Sequence, residues 1–179
     1  KVKGRQMRMA WSGNPELPPI IFVHGSPGSF DAWSEFLVNK DLQKKYHLIS
    51  VDRPGYGGSD KGKVELSLQK QAEDIIAALQ FNKSKKPAIL IGHSFGGPVV
   101  ARMAMDYPEQ TAGLILVAGS IDPSLEETKW YQNLATIKWL NWVVPQFLIV
   151  CNDEIMALWK SFPQAATSIL HLVEREPAN

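Results

Sequence analysis

The chain has 179 residues, of which 45% are hydrophobic, so it is long enough for one domain with a substantial buried core and too short for two. Its formal net charge of +1 excludes a broad basic surface, and we expect no nucleic-acid partner. The single cysteine, Cys151, excludes an internal disulfide and a cysteine-based metal cluster. This cysteine usage favours a reducing compartment such as the cytoplasm, and we expect neither a metal nor a cofactor.

The longest apolar stretch, residues 139–151, is shorter than the roughly 20 residues that a membrane-spanning helix needs. It also contains Asn141, Pro145 and Gln146, so we expect no membrane span. The chain opens with Lys1 and without a basic-then-apolar leader. We therefore expect any targeting segment to have been removed or to lie outside this sequence.

The first element in chain order is a candidate antiparallel edge strand at residues 3–11, where Met7 and Met9 alternate with Arg8. Further along the chain, short aliphatic runs predict strands that are buried on both faces. These runs are residues 20–23, 47–51, 88–91 and 113–118.

Helical spacing of apolar residues predicts a helix over 67–81, with Ser67 as the N-cap, and a second helix over 95–106. Alternating strand and helix signals predict an α/β fold, with a mostly parallel sheet flanked by helices. In such a sheet the active groups lie at the carboxyl ends of the strands.

The clearest chemical motif is Gly-His-Ser-Phe-Gly-Gly at residues 92–97, directly between a predicted strand and a predicted helix. A nucleophile on this tight turn needs small neighbours such as Gly92 and Gly96, because larger side chains would collide with the backbone. The following helix points its amide groups toward the turn and stabilises negative charge there. We interpret Ser94 as a nucleophile rather than as part of a purely structural turn.

A second motif follows the strand at residues 20–23, in the segment His24-Gly25-Ser26-Pro27-Gly28. In a functional interpretation, the amide of Ser26 joins that of Phe95 to hold the oxyanion of a tetrahedral intermediate. Taken alone, the segment is equally typical of an ordinary strand-to-helix turn. His24 and His93 flank the site, and their motif positions indicate structural or pocket roles.

A glycine-rich turn, Asp-Arg-Pro-Gly-Tyr-Gly-Gly-Ser, occupies residues 52–59 after a third strand. Its glycine spacing matches neither a phosphate loop nor a dinucleotide fingerprint. The turn therefore favours a role in shaping the neighbouring loops.

In this order and spacing, the three motifs resemble those of the α/β-hydrolase superfamily, over roughly residues 3–120. The resemblance implies Ser94 as nucleophile and the amides of Ser26 and Phe95 as the oxyanion hole. Family members with an Asp nucleophile, such as haloalkane dehalogenases and epoxide hydrolases, are similar in the flanking loops, but Ser94 argues against both. The resemblance thus indicates a serine hydrolase, esterase-like or lipase-like, acting on acyl bonds.

The resemblance also implies a domain organisation: a hydrolase core over residues 1–121, a helical cap over 122–163 after the sixth strand, and a C-terminal segment, 164–179, of uncertain placement. Four of the six tryptophans fall within residues 130–159. This aromatic content favours a small, apolar acyl or aryl substrate.

The acid and base of the triad are less clearly marked. His171 is the candidate base after the cap, although it lies in an apolar run and no Gly-His pair is present there. Asp122 and Asp153 compete as the acid that orients the base. A non-catalytic ligand-binding module and a truncated hydrolase without its base therefore remain alternatives. A sheet that ended near residue 118 would expose a hydrophobic edge, which a homodimer could cover.

Overall fold

The computed structural model describes residue 2 and residues 4–120 of the chain. The predictions for Asp122, Asp153 and His171, for the cap at 122–163 and for the segment 164–179 lie outside the described residues.

A five-stranded sheet forms the centre of the described residues, in the order β1-β3-β2-β4-β5. The strands are β1 Met9–Ser12, β2 Pro19–Val23, β3 His47–Val51, β4 Ala88–His93 and β5 Thr111–Val117. Strand β1 pairs with β3 antiparallel, and every other pairing is parallel. The predicted mostly parallel sheet is therefore confirmed. The chain belongs to an α/β architecture, because helices connect and cover the parallel strands.

The predicted strands are present with small differences at their ends. Residues 47–51 match β3, whereas β4 continues two residues further than predicted, to His93. The edge strand is shorter than residues 3–11, since β1 spans only Met9–Ser12. Strand β5 is the fifth strand among the described residues. The predicted cap after the sixth strand lies beyond them and stays a prediction.

Four α-helices lie among the described residues: α1 Ser34–Val38, α2 Lys40–Lys45, α3 Leu68–Ile76 and α4 Gly96–Asp106. Ser67 caps α3 as predicted, because its side chain accepts a hydrogen bond from the Lys70 amide at 3.3 Å. The predicted helix over 67–81 is two pieces, since α3 ends at Ile76 and a 3₁₀ turn, Ala77–Phe81, follows. Tighter 3₁₀ hydrogen bonding is common at helix ends.

Apolar side chains pack on both faces of the sheet. Residues of α3 and α4, including Ile75, Val99 and Met103, join those of β2, β3 and β4 in one buried cluster. Elsewhere, Phe22 of β2 packs against Trp33, with ring centroids 5.0 Å apart. Burial of the central strands explains their near-continuous aliphatic sequences.

Two further predictions concern the surface. No helix among the described residues is long and apolar enough to cross a membrane. Strand β5 is an edge of the sheet as far as the structure is described, and it exposes Leu114 and Leu116 by 41% and 43%. A homodimer at this edge stays a prediction.

A buried carboxylate ties three segments together at the end of β3. Asp52 has no exposed surface, and its oxygens accept hydrogen bonds from Arg8 Nε at 2.5 Å, from the Phe30 amide at 2.6 Å and from the Gly58 amide at 2.7 Å. Gly57 has a φ of 52°, and a Cβ atom there would collide with this carboxylate. The glycine-rich turn is thus shaped around Asp52.

We expect Asp52→Asn to lower the free energy of unfolding by about 2–4 kcal/mol, because the new amide group faces N–H donors and leaves at least one of them unsatisfied. Urea denaturation of the full chain measures this loss. Asp41→Asn is the matched control, since Asp41 is exposed and pairs with Lys44 on the surface, and we expect no measurable change there. Equal midpoints for the two variants would contradict the assignment.

Candidate active site

Ser94 occupies the sharp turn between β4 and α4, with a φ of 48°. For a serine, this left-handed conformation costs about 1 kcal/mol or more and persists only where neighbouring groups enforce it. Three backbone hydrogen bonds do so: the Ser94 amide donates to the Val117 carbonyl at 3.0 Å, and the Ser94 carbonyl accepts from Gly97 at 2.8 Å and from Ser120 at 3.1 Å. The side chain is only partly buried.

Glycines let the backbones around Ser94 approach each other. A Cβ atom at Gly25 would lie 2.9 Å from the Ser94 Cβ and 3.0 Å from His93 Nδ1. A Cβ at Gly96 would collide with the carbonyl groups at the end of β2, and one at Gly92 would collide with the first turn of α4. The loop after β2 therefore lies directly against the turn that carries Ser94.

The amides of Ser26 and Phe95 lie on the two segments that this contact joins. Neither amide donates a hydrogen bond to another residue between 4 and 120. Phe95 directly precedes α4, whose amino end faces the turn. Both amides are therefore unpaired within the described residues, and their role in holding developing negative charge stays a prediction.

His24 is held as a neutral ring by two backbone partners. Its Nε2 accepts a hydrogen bond from the Arg53 amide at 2.9 Å, so the proton lies on Nδ1, which donates to the Gly25 carbonyl at 2.7 Å. The pKa of His24 is lowered to about 4, chiefly by its complete burial. The bond to Gly25 opposes this shift, and the nearby Arg53 charge adds to it. Both ring nitrogens are engaged, so His24 is unsuited to act as a base.

His93 ends β4 beside Ser94, and its ring lies close to Gly25. Burial lowers the pKa of His93. At neutral pH the ring is therefore uncharged, and it lies between the turn of Ser94 and the loop of Gly25 as a packing group. The candidate residues Ser94, Ser26, Phe95, His24, Gly25, Gly92, His93 and Gly96 are thus gathered at the carboxyl ends of β2 and β4.

A buried guanidinium beside the site was not predicted from the sequence. Arg53 is 1% exposed, and its Nη2 donates to the Gly25 carbonyl at 3.2 Å while its Nη1 donates to Gln71 Oε1 at 3.3 Å. The rings of Tyr56 and Phe95 lie 4.3 Å and 4.8 Å from its Cζ atom. The sequence did carry a signal for this burial. Arg53 follows Asp52 and the buried strand β3, a place from which solvent is excluded.

No group of three or more possible metal-ligating side chains occurs within the described part of the chain.

We expect the folded chain to lose stability as the pH falls from 6.5 toward 4. The unfolded chain binds a proton at His24 near pH 6.5, whereas the folded pKa of about 4 keeps the ring neutral. The contribution of neutral His24 to the free energy of unfolding is fully present above pH 6.5. About 2 kcal/mol of it is lost by pH 5. NMR titration of the His24 Cε1 proton, assigned with His24→Gln, checks the cause, and a midpoint near 6.5 would contradict it.

Comparison with known proteins places this geometry in a family. A family model described as alpha/beta hydrolase fold matches residues 18–151. Monoacylglycerol lipase ABHD6 of Bos taurus is 31% identical over 138 residues, which cover 74% of this chain and 40% of the bovine protein. The pimeloyl-[acyl-carrier protein] methyl ester esterase of Wigglesworthia glossinidia brevipalpis is 38% identical over 113 residues, which cover 63% of this chain and 39% of that protein.

Among solved structures, Est816, an N-acyl homoserine lactone degrading enzyme, superposes with a TM-score of 0.65. The match covers 91% of this chain and 64% of Est816, at 20% sequence identity, and it concerns the fold alone. The chain spans about two fifths of the length of the two curated relatives. The family model matches more than half of the chain and shows that the chain belongs to the α/β-hydrolase family.

Proposed function

We propose that this protein is a hydrolase of ester-type acyl bonds that uses Ser94 as a covalent nucleophile. The observation that carries the proposal is the left-handed backbone of Ser94 between β4 and α4, with a φ of 48°. A strained serine on a strand-to-helix turn presents its hydroxyl group at the end of the sheet. The names of the bovine lipase and the bacterial esterase support ester hydrolysis in particular.

In the first half of the reaction, Ser94 Oγ attacks the acyl carbonyl carbon while a base takes the hydroxyl proton. The carbonyl oxygen becomes an oxyanion, which the amides of Ser26 and Phe95 stabilise. The intermediate collapses, the C–O bond to the leaving group breaks, and the base returns the proton to the departing alcohol. The products of this half are the alcohol and an acyl-Ser94 ester.

In the second half, water attacks the acyl-Ser94 ester, with its proton taken by the same base. The same two amides hold the second oxyanion. Its collapse breaks the bond between the acyl carbon and Ser94 Oγ, the base returns the proton to Oγ, and the carboxylic acid leaves.

His24 is unsuited as the base that serves Ser94, because both of its ring nitrogens are engaged by backbone groups. We propose His171 as this base, with Asp122 or Asp153 as the acid that orients it. A small, apolar acyl or aryl substrate fits the tryptophan-rich stretch at residues 130–159.

We expect a fluorophosphonate probe to label the full chain rapidly and Ser94→Ala to abolish the labelling. Turnover of a short aryl ester should disappear in the same variant, because an activated serine is required for both. Ser84→Ala is the matched control, since Ser84 lies in the loop before β4, and it should label like the wild type. Mass spectrometry of the labelled peptide identifies the modified residue.

Labelling that requires Ser94 means that a base is present in this chain, and His171→Ala should then abolish it. Absence of labelling in a folded sample would contradict the hydrolase proposal for this chain. A ligand-binding module, or a hydrolase whose base lies elsewhere, would then describe it better.

We expect Gly25→Ala to slow the labelling of Ser94 by about tenfold to a hundredfold, because the new methyl group would lie 2.9 Å from the Ser94 Cβ and displace the nucleophile. Gly113→Ala is the control, since a Cβ atom at Gly113 meets nothing within 4 Å. Equal labelling rates for the two variants would show that the close contact at Gly25 is not needed for reaction.

A further inference from the structure

We propose that Arg53 is a positioning residue of the oxyanion hole, whose guanidinium orients the peptide unit between Gly25 and Ser26 and holds that loop against Phe95. This role rests on the proposed function, because it gives the buried arginine a task in forming the site that serves Ser94. No contact between Arg53 and substrate is involved, since the side chain is 1% exposed.

One peptide unit joins Gly25 to Ser26. The carbonyl of Gly25 and the amide of Ser26 belong to one planar unit, in which the C=O and N–H groups point in opposite directions. Arg53 Nη2 donates to the Gly25 oxygen at 3.2 Å. A bond on the carbonyl side therefore sets the direction of the Ser26 N–H group. A cationic donor also polarises the unit and strengthens the N–H group as a donor.

The same carbonyl has a second donor that also depends on residue 53. The Arg53 amide donates to His24 Nε2 at 2.9 Å, which keeps the proton on Nδ1, and Nδ1 donates to the Gly25 oxygen at 2.7 Å. Both lone pairs of that oxygen are thus occupied. The backbone and the side chain of Arg53 act on one peptide unit, which leaves its plane little freedom to rotate.

The guanidinium of Arg53 also contacts the segment that carries the second proposed donor of the oxyanion hole. The ring of Phe95, whose own amide is the second proposed donor, lies 4.8 Å from Arg53 Cζ. The ring of Tyr56 lies 4.3 Å away, and the Tyr56 hydroxyl is 3.0 Å from Ser26 Oγ. Arginine stacks on aromatic faces while it donates in its plane, which lysine cannot do.

The charge of Arg53 is not neutralised locally. No carboxylate between residues 4 and 120 forms an ion pair with it, and the neighbouring Asp52 is occupied by Arg8 and two amides. Fold stability does not call for a buried cation of this kind, since an apolar side chain of similar volume costs no more. Its place beside the two amides fits a site in which negative charge develops.

The first experiment measures the peptide unit without requiring activity. In ¹H–¹⁵N correlation spectra of the full chain, we expect the Ser26 amide nitrogen to move upfield in Arg53→Met, because the bond to the preceding carbonyl is lost. Arg102→Met is the control, since Arg102 pairs with Asp106 on the surface of α4, and Ser26 should not move. An unchanged Ser26 resonance in folded Arg53→Met would overturn the proposal.

The second experiment compares an aryl ester with the matching thionoester, whose sulfur is too large and too weak an acceptor for the oxyanion hole. We expect Arg53→Met to lower kcat for the ester by about 10- to 100-fold with KM within about twofold. The kcat for the thionoester should fall less, so that the ratio of the kcat values for ester and thionoester becomes smaller. Arg53→Lys should recover part of kcat, because it restores a cationic donor without the stacking.

The outcomes separate the two proposals. An equal fall in kcat for the ester and the thionoester, or a rise in KM alone, would overturn the positioning role of Arg53. Neither result would affect Ser94 as the proposed nucleophile. No Ser94-dependent turnover in the wild type would contradict the hydrolase proposal, and the Ser26 resonance would still decide whether Arg53 holds the peptide unit.

Discussion

The described structure depends on one close backbone contact, between the loop that leaves β2 and the turn that leaves β4. It is possible only because Gly25, Gly92 and Gly96 carry no side chain where the two segments meet. The contact brings the loop that carries Ser26 against the turn that carries Ser94 and Phe95. Any larger residue at these positions would separate the segments and, with them, the groups that the proposed chemistry needs.

Two adjacent residues at the end of β3 support this contact from different sides. Asp52 binds the edge-strand residue Arg8 and shapes the glycine-rich turn, whereas Arg53 reaches Gly25 and Gln71. Both residues directly follow β3, and their side chains reach different parts of the molecule. Burial of both charges is costly. The cost is offset at Asp52 by hydrogen bonds from the Phe30 and Gly58 amides, and at Arg53 by those to Gly25 and Gln71.

Much of the fold was predictable because its signals are local. The aliphatic runs matched the strands to within a few residues, and Ser67 capped α3 as expected. Errors arose where tertiary contacts set the ends: β1 is limited to the residues that pair with β3, and α3 gives way to a 3₁₀ turn after Ile76. The elbow motif at residues 92–97 was identifiable because its glycines and its position between strand and helix are all within one short segment.

By itself, the sequence determined the strand and helix pattern, the turn that bears Ser94 and the family resemblance, since each depends on the spacing of neighbouring residues. Only the tertiary structure decided the roles of the buried polar groups. His24 is neutral because it meets the Arg53 amide 29 positions away, and Arg53 reaches a carbonyl 28 positions away. Such partners are brought together by the packing of the whole sheet, and no local pattern specifies which of them will meet.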